Sequence, residues 1–227
     1  MNPATKSFWA GIRAEAPLLL GVFPFGLIYG ALARSSGISA AGSQMMSSIV
    51  FAGSAQVIAV HLVHDSVPGL IIVLTIGIVN LRHMLYSASV APYIEHLPMR
   101  WKTLLAYLLT DEAYAATITH FEKDGITPKG HWLFLGAGLA LWTTWQVSSA
   151  LGIFLGASIP ASWALDFALP LTFIGMVMPV LKDKQMVGAA LSAGIVALVA
   201  NSLPYRLGLI LAAFVGLLVA MYWERHK

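Results

Sequence analysis

The stretch Val67–Ile94, with the sequence VPGLIIVLTIGIVNLRHMLYSASVAPYI, decides which class of fold this chain can adopt. It is apolar at both ends and carries Asn80, Arg82 and His83 near its middle. A helix rises about 1.5 Å per residue and a bilayer core is about 30 Å thick, so neither apolar part is long enough to cross alone. A single crossing would bury the polar residues in the membrane, and a break would require irregular backbone to line protein or water. Only a surface loop flanked by two helices too short for the membrane would avoid a polar interior.

The composition of the whole chain is that of a membrane protein. Of its 227 residues, 58% are hydrophobic and 10% are charged, whereas a soluble domain carries roughly 25% charged residues. The basic residues are scattered, which argues against a polyanion-binding patch, and a chain without cysteine has neither disulfides nor thiolate metal sites. These features exclude a soluble enzyme and a nucleic-acid binder, and they predict one integral membrane domain over residues 1–227.

The apolar runs predict an all-α polytopic membrane protein with about eight transmembrane helices, some of them discontinuous. The predicted spans are Ala16–Ala33, Ala40–Val63, Val67–Ile94, Thr103–Phe121, Trp132–Ala157, Trp163–Leu181, Met186–Ala200 and Leu203–Trp223. With eight crossings and both termini in the cytoplasm, most Lys and Arg residues of the loops lie inside, as the positive-inside rule requires. A re-entrant second span would leave seven crossings and reverse that bias.

The fourth predicted span, Thr103–Phe121, is interrupted near its centre by Asp111 and Glu112. An unpaired charge at mid-bilayer costs about 2.5–3.5 kcal/mol on insertion scales. We therefore expect one carboxylate to pair with Arg82 while the other faces a cavity and exchanges protons; the spacing does not say which does which. Thr110 before two acids is also typical of a helix start. The alternative is an ion pair that merely fixes helix register.

The second predicted span contains small and amide residues around Gly53, Ser54 and Gln56. A helix break there would offer free backbone N–H groups to an anionic group, as in many secondary transporters. Ordinary helix packing through small residues is an equally good interpretation. It is the preferred one for the GxxxG spacings, which are Gly26 with Gly30 and Gly152 with Gly156.

Two proline-rich stretches hint at an internal repeat. The sequence PLLLGVFPFG at 17–26 resembles PLTFIGMVMP at 170–179, and each is followed by a basic loop and another apolar span. Paired interruptions in corresponding segments are typical of transporters built from two structural repeats.

Three motifs together resemble the AzlC family. They are FAGSAQ at 51–56, NLRHMLYSAS at 80–89 and TDE at 110–112, and their order, their spacing and the span pattern extend the resemblance over nearly the whole chain. The resemblance implies the large subunit of a bacterial branched-chain amino acid exporter that works with a small AzlD-like membrane subunit. It also implies efflux of valine, leucine, isoleucine or related amino acids across the cytoplasmic (inner) membrane, driven by protons.

Within that hypothesis each polar residue has an expected role, because a zwitterion needs both a donor and an acceptor. The expected substrate-binding residues are Gly53, Ser54, Gln56, Asn80 and Arg82. The expected proton-coupling residues are Asp111, Glu112 and His83. Supporting roles are expected for Tyr86, Tyr107 and Tyr114, each one helical turn from Arg82 or Asp111.

No catalytic residue, metal or cofactor is expected. Two other classes of protein stay open. One is a membrane scaffold that does not transport, and the other is an intramembrane enzyme, for which His83 beside Ser87 is the nearest approach to a base and a nucleophile.

Overall fold

The computed structural model describes residues 2–125, 127, 129–155, 181, 183–203 and 207–224. Within these residues the chain forms α-helices and one 3-10 turn, without a strand, which confirms the all-α class. The described helices are α1 (Pro3–Ser35), α2 (Ala40–Val50), α3 (Gly53–His64), α4 (Gly69–Val79), α5 (Arg82–Ile94), α6 (Met99–Tyr107), α7 (Asp111–Asp124), α8 (Gly130–Leu155), α9 (Lys184–Val199) and α10 (Leu207–Glu224), with the 3-10 turn Ala200–Ser202 after α9. The predicted sixth span and the second stretch of the predicted repeat lie outside the described residues.

Some of the described helices have the length of membrane spans, and many expose apolar side chains. Three segments are long and apolar enough to cross a membrane, namely Pro3–Ser35, Gly69–Ile94 and Lys184–Ser202, and Leu207–Trp223 is a shorter apolar helix. Large apolar side chains point outward, with Leu20 81% exposed and Leu198 79% exposed. Such extensive apolar surface suits lipid rather than water.

The chain forms two compact units. The first contains the described residues of Met1–His64 and Asn80–Trp163, and the second contains those of Asp65–Val79 and Ala164–Lys227. In the second unit α9 packs against α10, where Gly188 leaves room for the ring of Trp223. The polar and charged motifs of the sequence all belong to the first unit.

The first unit is built around the close packing of α1 on α8. A Cβ atom on Gly30 would overlap the backbone of Ser149 and Ile153, and one on Gly152 would overlap the backbone of Leu27. The predicted GxxxG packing is thus confirmed for Gly26, Gly30 and Gly152, while Gly156 lies outside the described residues.

The two helices of this pair run parallel. Near the start of α1, Gly11 meets Leu133 and Ala137, and further along Gly26 meets Ser148 and Ser149. The contact positions therefore advance in the same direction along both helices.

Helices end at all three places where polar residues interrupt an apolar run. Between α2 and α3 the chain turns at Phe51, whose φ of 39° is left-handed, and Ala52. Asn80 and Leu81 separate α4 from α5, and residues 108–110 separate α6 from α7. The interruptions that the sequence predicts are helix ends, and α3, α5 and α7 all begin at polar motifs.

Candidate functional site

An ion pair and a hydrogen bond of Arg82 join the starts of α3, α5 and α7 in the first unit. The Nη1 atom of Arg82 lies 2.6 Å from Oδ2 of Asp111, and its Nη2 atom donates a hydrogen bond of 2.6 Å to Oγ of Ser54. The side chains of Arg82 and Asp111 are 30% and 23% exposed. Since Arg82 begins α5, Asp111 begins α7 and Ser54 lies in the first turn of α3, one guanidinium brings three helix starts together.

Local sequence fixes two of these helix starts. Thr110 is the N-cap of α7, as predicted, and its Oγ1 accepts a hydrogen bond of 3.3 Å from the backbone N–H of Ala113. At α3, the fully buried Gln56 accepts a hydrogen bond of 3.2 Å from the backbone N–H of Ala52. The first N–H groups of a helix have no acceptor within it and carry a partial positive charge, so both ends favour an anionic neighbour.

Several polar atoms beside the ion pair are sheltered and, among the described residues, have no hydrogen-bond partner. They are Oδ1 of Asn80, Nε of Arg82, Nε2 of His83 and Oδ1 of Asp111. His83 and Asp111 approach to 3.9 Å through these atoms, which is too long for a hydrogen bond and short enough for one to form after a small movement. The cluster therefore has hydrogen-bond donors and acceptors that a polar ligand or a proton could use.

Two of the predicted supporting tyrosines lie beside this cluster. The rings of Tyr86 and Tyr114 stack with their centroids 4.7 Å apart, and the hydroxyl of Tyr114 is 3.0 Å from Oγ of Ser89. Tyr86 is also within electrostatic range of Asp111 and Arg82. The stacked pair joins α5 to α7 next to the charges.

Tyr107 does not have its predicted position. The prediction counted one helical turn from Asp111, but α6 ends at Tyr107 and α7 begins at Asp111, so no helical turn connects them. The Tyr107 hydroxyl instead donates to the backbone carbonyl of Ser48 at 2.7 Å and accepts from Nε1 of Trp142 at 2.8 Å. Ser48 lies in the last turn of α2, where carbonyl groups lack a partner within the helix, and Tyr107 supplies one.

Two predicted site residues remain, of which Gly53 has a packing role and Glu112 an electrostatic one. A Cβ atom on Gly53 would lie 2.7 Å from the ring of Phe25 and 2.9 Å from that of Trp145, so this glycine allows two buried aromatic rings to approach α3. Glu112 lies within electrostatic range of Asp111 and Arg82 but makes no ion pair with Arg82. The carboxylate that pairs with Arg82 is therefore Asp111.

Sequence analysis missed a buried carboxylate. Glu15 on α1 is fully buried, and neither of its carboxylate oxygens has a hydrogen-bond partner among the described residues. The residue stands immediately before the first predicted span, Ala16–Ala33, and therefore outside the predicted membrane interior. The glycines of α1 indicate this burial in the sequence, because Glu15 follows Gly11 by four residues and lies on the same side of the helix.

A polar network between α2 and α8 was also missed. The Oε1 atom of Gln146 accepts hydrogen bonds from Nε2 of Gln44 at 2.7 Å and from Oγ of Ser48 at 3.0 Å. Its Nε2 atom donates to the backbone carbonyl of Ser47 at 3.2 Å. This network holds α2 against α8 just before the break at Phe51.

The first unit also contains a cavity of about 250 Å³ between α5, α6 and α8. Most of its lining is apolar, and Glu95 and Lys102 are the charged side chains on its wall. The lining residues are Ser87, Val90, Ala91, Ile94, Glu95, Lys102, Leu105, Ala106, Leu109 and Phe134. Its volume is sufficient for a small apolar side chain.

Comparison with known proteins finds relatives in bacteria and archaea. An uncharacterized membrane protein of Archaeoglobus fulgidus is 30% identical over 97% of this chain and 98% of its own length. The inner membrane protein YgaZ of Escherichia coli is 25% identical over 98% of this chain and 94% of its own length. The branched-chain amino acid transport protein AzlC of Bacillus subtilis is 25% identical over 77% of this chain and 69% of its own length. No solved structure matches the chain significantly.

The family comparison covers the region in which the site lies. The sequence profile described as AzlC protein matches residues 17–159, which is more than half of the chain and includes all three motifs and the ion pair. Together with relatives that align over nearly their full length, this match establishes that the chain belongs to the AzlC family.

Proposed function

We propose that this protein is the large subunit of a secondary transporter that exports branched-chain amino acids from bacteria in exchange for protons. It would reside in the cytoplasmic membrane as a single transporter domain and act with a small AzlD-like subunit. The observation that carries the proposal is the Arg82–Asp111 pair at the meeting point of three half-helices. Broken helices whose ends point at a charged centre are a recurrent construction of secondary transporters.

The residues around the ion pair match the two ends of an amino acid. The substrate carboxylate would bind the first N–H groups of α3 near Gly53 and Ser54, together with the free Nε of Arg82. The ammonium group would bind the unpartnered oxygens of Asn80 and Asp111. Gln56 would act indirectly, because it holds the start of α3 in place.

The name of the Bacillus subtilis relative supports the substrate class, since that protein is named for branched-chain amino acid transport. The apolar cavity between α5, α6 and α8 supports it as well, because Ala91, Ile94 and Ala106 offer the apolar surface that a branched side chain prefers. Proton coupling would use Asp111, Glu112 and His83, the titratable groups of the site.

The parallel packing of α1 and α8 supports eight crossings over seven. If α1 and α8 run in the same direction, the chain must cross the membrane an even number of times between the start of α1 and the start of α8. This count includes α1 itself. Four predicted spans precede α8, which gives the required parity. A re-entrant second span would leave three and make α1 and α8 antiparallel.

Reconstitution in lipid vesicles tests the proposal. We expect labelled leucine to leave vesicles that contain the protein and its small partner when a proton gradient is applied, and we expect Asp111→Asn and Glu112→Gln to abolish that flux. The matched control is Asp124→Asn, which changes an exposed carboxylate at the other end of α7. Normal flux in both site variants would refute the proton role.

The same assay separates the other two classes. A scaffold would give no flux with or without the small partner, and an enzyme would convert the labelled amino acid into a product.

A further inference from the structure

Glu15 is the most unusual charged residue of the first unit. It belongs to α1, its exposure is zero, and both oxygens of its carboxyl group lack a hydrogen-bond partner among the described residues. An ionised carboxylate without a partner is costly to bury, and a proton removes that cost. A residue with this environment needs a reason to be acidic rather than apolar.

The charged neighbour of Glu15 is a second acid. Helices α1 and α7 pack against each other, and Glu112 of α7 lies within electrostatic range of Glu15. Asp111, which precedes Glu112, is paired with Arg82. Among the residues that the structure describes, neither Glu15 nor Glu112 forms a salt bridge.

The other helices that pack on α1 contain few titratable side chains. Helix α2 contains no titratable side chain, α3 contains only His61 and His64 in its last turn, and α8 contains only His131 in its first turn. Gly11 packs at the level of Leu133 and Ala137, so His131 lies before the level of Glu15.

We propose that Glu15 and Glu112 form a carboxyl–carboxylate pair that shares one proton and holds the proton that moves with the substrate. The inference rests on the proposed function and specifies its proton site. Two acids that interact electrostatically in an interior of low dielectric constant do not both ionise readily, so the two together hold one proton. The pair then has one negative charge, which a second proton neutralises.

The three acidic residues Glu15, Asp111 and Glu112 would then have different roles. Asp111 is paired with Arg82, so it would bind the substrate's ammonium group and act on the proton through its neighbour Glu112. Glu112 makes no salt bridge among the described residues, and it is within electrostatic range of both Asp111 and Glu15. Adjacent residues on a helix point about 100° apart, which allows Asp111 to face Arg82 while Glu112 faces α1.

Infrared spectroscopy of the full-length protein in lipid tests the pair without any transport. A protonated carboxyl group has a carbonyl stretch that shifts in D₂O and disappears when the group ionises. We expect one such band in the wild type, and its titration midpoint should move in both Glu15→Gln and Glu112→Gln because each removes the interacting charge. The midpoint should stay in place in Glu122→Gln, whose carboxylate is exposed on the same helix as Glu112. Absence of the band, or an unchanged midpoint in either site variant, would overturn the proposal.

Transport measurements then separate this inference from the proposed function. In Glu15→Gln we expect exchange of labelled leucine without a gradient to persist, while acceleration by a proton gradient falls by roughly tenfold or more, equivalent to about 1.4 kcal/mol. A variant that responds to the gradient as the wild type does would overturn the assignment of the transported proton. If the infrared coupling is found and the wild type moves no amino acid, the shared proton stands and the transport function fails.

Discussion

Arg82 uses two different nitrogen atoms for its two contacts, and this geometry distinguishes arginine from lysine. The planar guanidinium reaches Asp111 and Ser54 at the same time, whereas the ammonium group of lysine, on a flexible alkyl chain, acts as a single point charge. Hydrogen bonds to charged groups contribute about 1.5–3 kcal/mol each. We predict that Arg82→Lys lowers the melting temperature in detergent and slows leucine flux by roughly tenfold or more.

The control for this substitution is Arg100→Lys, because Arg100 is exposed in the first turn of α6. Both substitutions preserve the net charge, so a difference between them reports the geometry of the guanidinium. Wild-type melting and flux in Arg82→Lys would show that charge alone is required at this position.

At this scale the sequence predicts an ion pair between Arg82 and the acidic motif, but it does not predict which of the two acids forms it. Buried charges of opposite sign must neutralise each other, which is sufficient to match Arg82 with the acidic motif. The choice of Asp111 over Glu112 depends on how α7 is rotated about its axis, and neighbouring residues of a helix differ in this by about 100°. Glu15 escaped prediction because it precedes the first long apolar run, although it lies on the glycine face of α1 that packs against α8.

Helix ends in the membrane require partners for their carbonyl groups, and Tyr107 supplies one at the end of α2. Its hydroxyl bonds the carbonyl of Ser48 and accepts from Trp142. We predict that Tyr107→Phe destabilises the protein by about 0.5–1.5 kcal/mol, the usual net value of a hydrogen bond. Thermal unfolding in detergent measures the loss.

A double-mutant cycle with Trp142→Phe supplies the control for Tyr107. If the two side chains interact as the structure shows, the destabilisation of the double variant will be smaller than the sum of the single ones. Additive losses would mean that the hydrogen bond between Tyr107 and Trp142 contributes nothing.

The glycines at the contact between α1 and α8 lead to a second prediction, which concerns the packing of these two helices. Any side chain on Gly30 would overlap the backbone of α8, and overpacking of this kind costs about 1–3 kcal/mol. We predict that Gly30→Leu lowers the yield of folded protein and its melting temperature. Gly21→Leu is the matched control on the same helix, because a Cβ there meets nothing within 4 Å. Equal melting of the two variants would contradict the packing.

The ends of elements were predictable where short-range rules apply. Apolar runs too short to cross, together with a Thr cap before two acids, predict the breaks before Arg82 and Asp111. The position of Tyr107 was wrong because the prediction assumed a continuous helix across residues 108–110. Once a helix breaks, spacing along the sequence no longer gives direction in space.

Because α1 and α8 run in the same direction, their contacts bear on how many times the chain crosses the membrane. Their parallel packing depends on local approaches such as Gly11 to Leu133 and Gly30 to Ser149. Combined with the positive-inside rule, it favours a cytoplasmic N-terminus and eight crossings. Sequence alone leaves the seven-crossing alternative open, because hydropathy counts apolar runs without showing whether a run crosses or returns.

Labelling of single cysteines decides the topology. The chain contains no cysteine, so each introduced thiol is the only one that reacts. We predict that a membrane-impermeant maleimide added to intact cells labels His96→Cys and does not label Thr5→Cys or Asp124→Cys, all three positions being exposed in the structure. With inverted vesicles the pattern should reverse. A re-entrant second span would place residue 124 outside and residue 96 inside, so labelling of Asp124→Cys in intact cells with protection of His96→Cys would refute eight crossings.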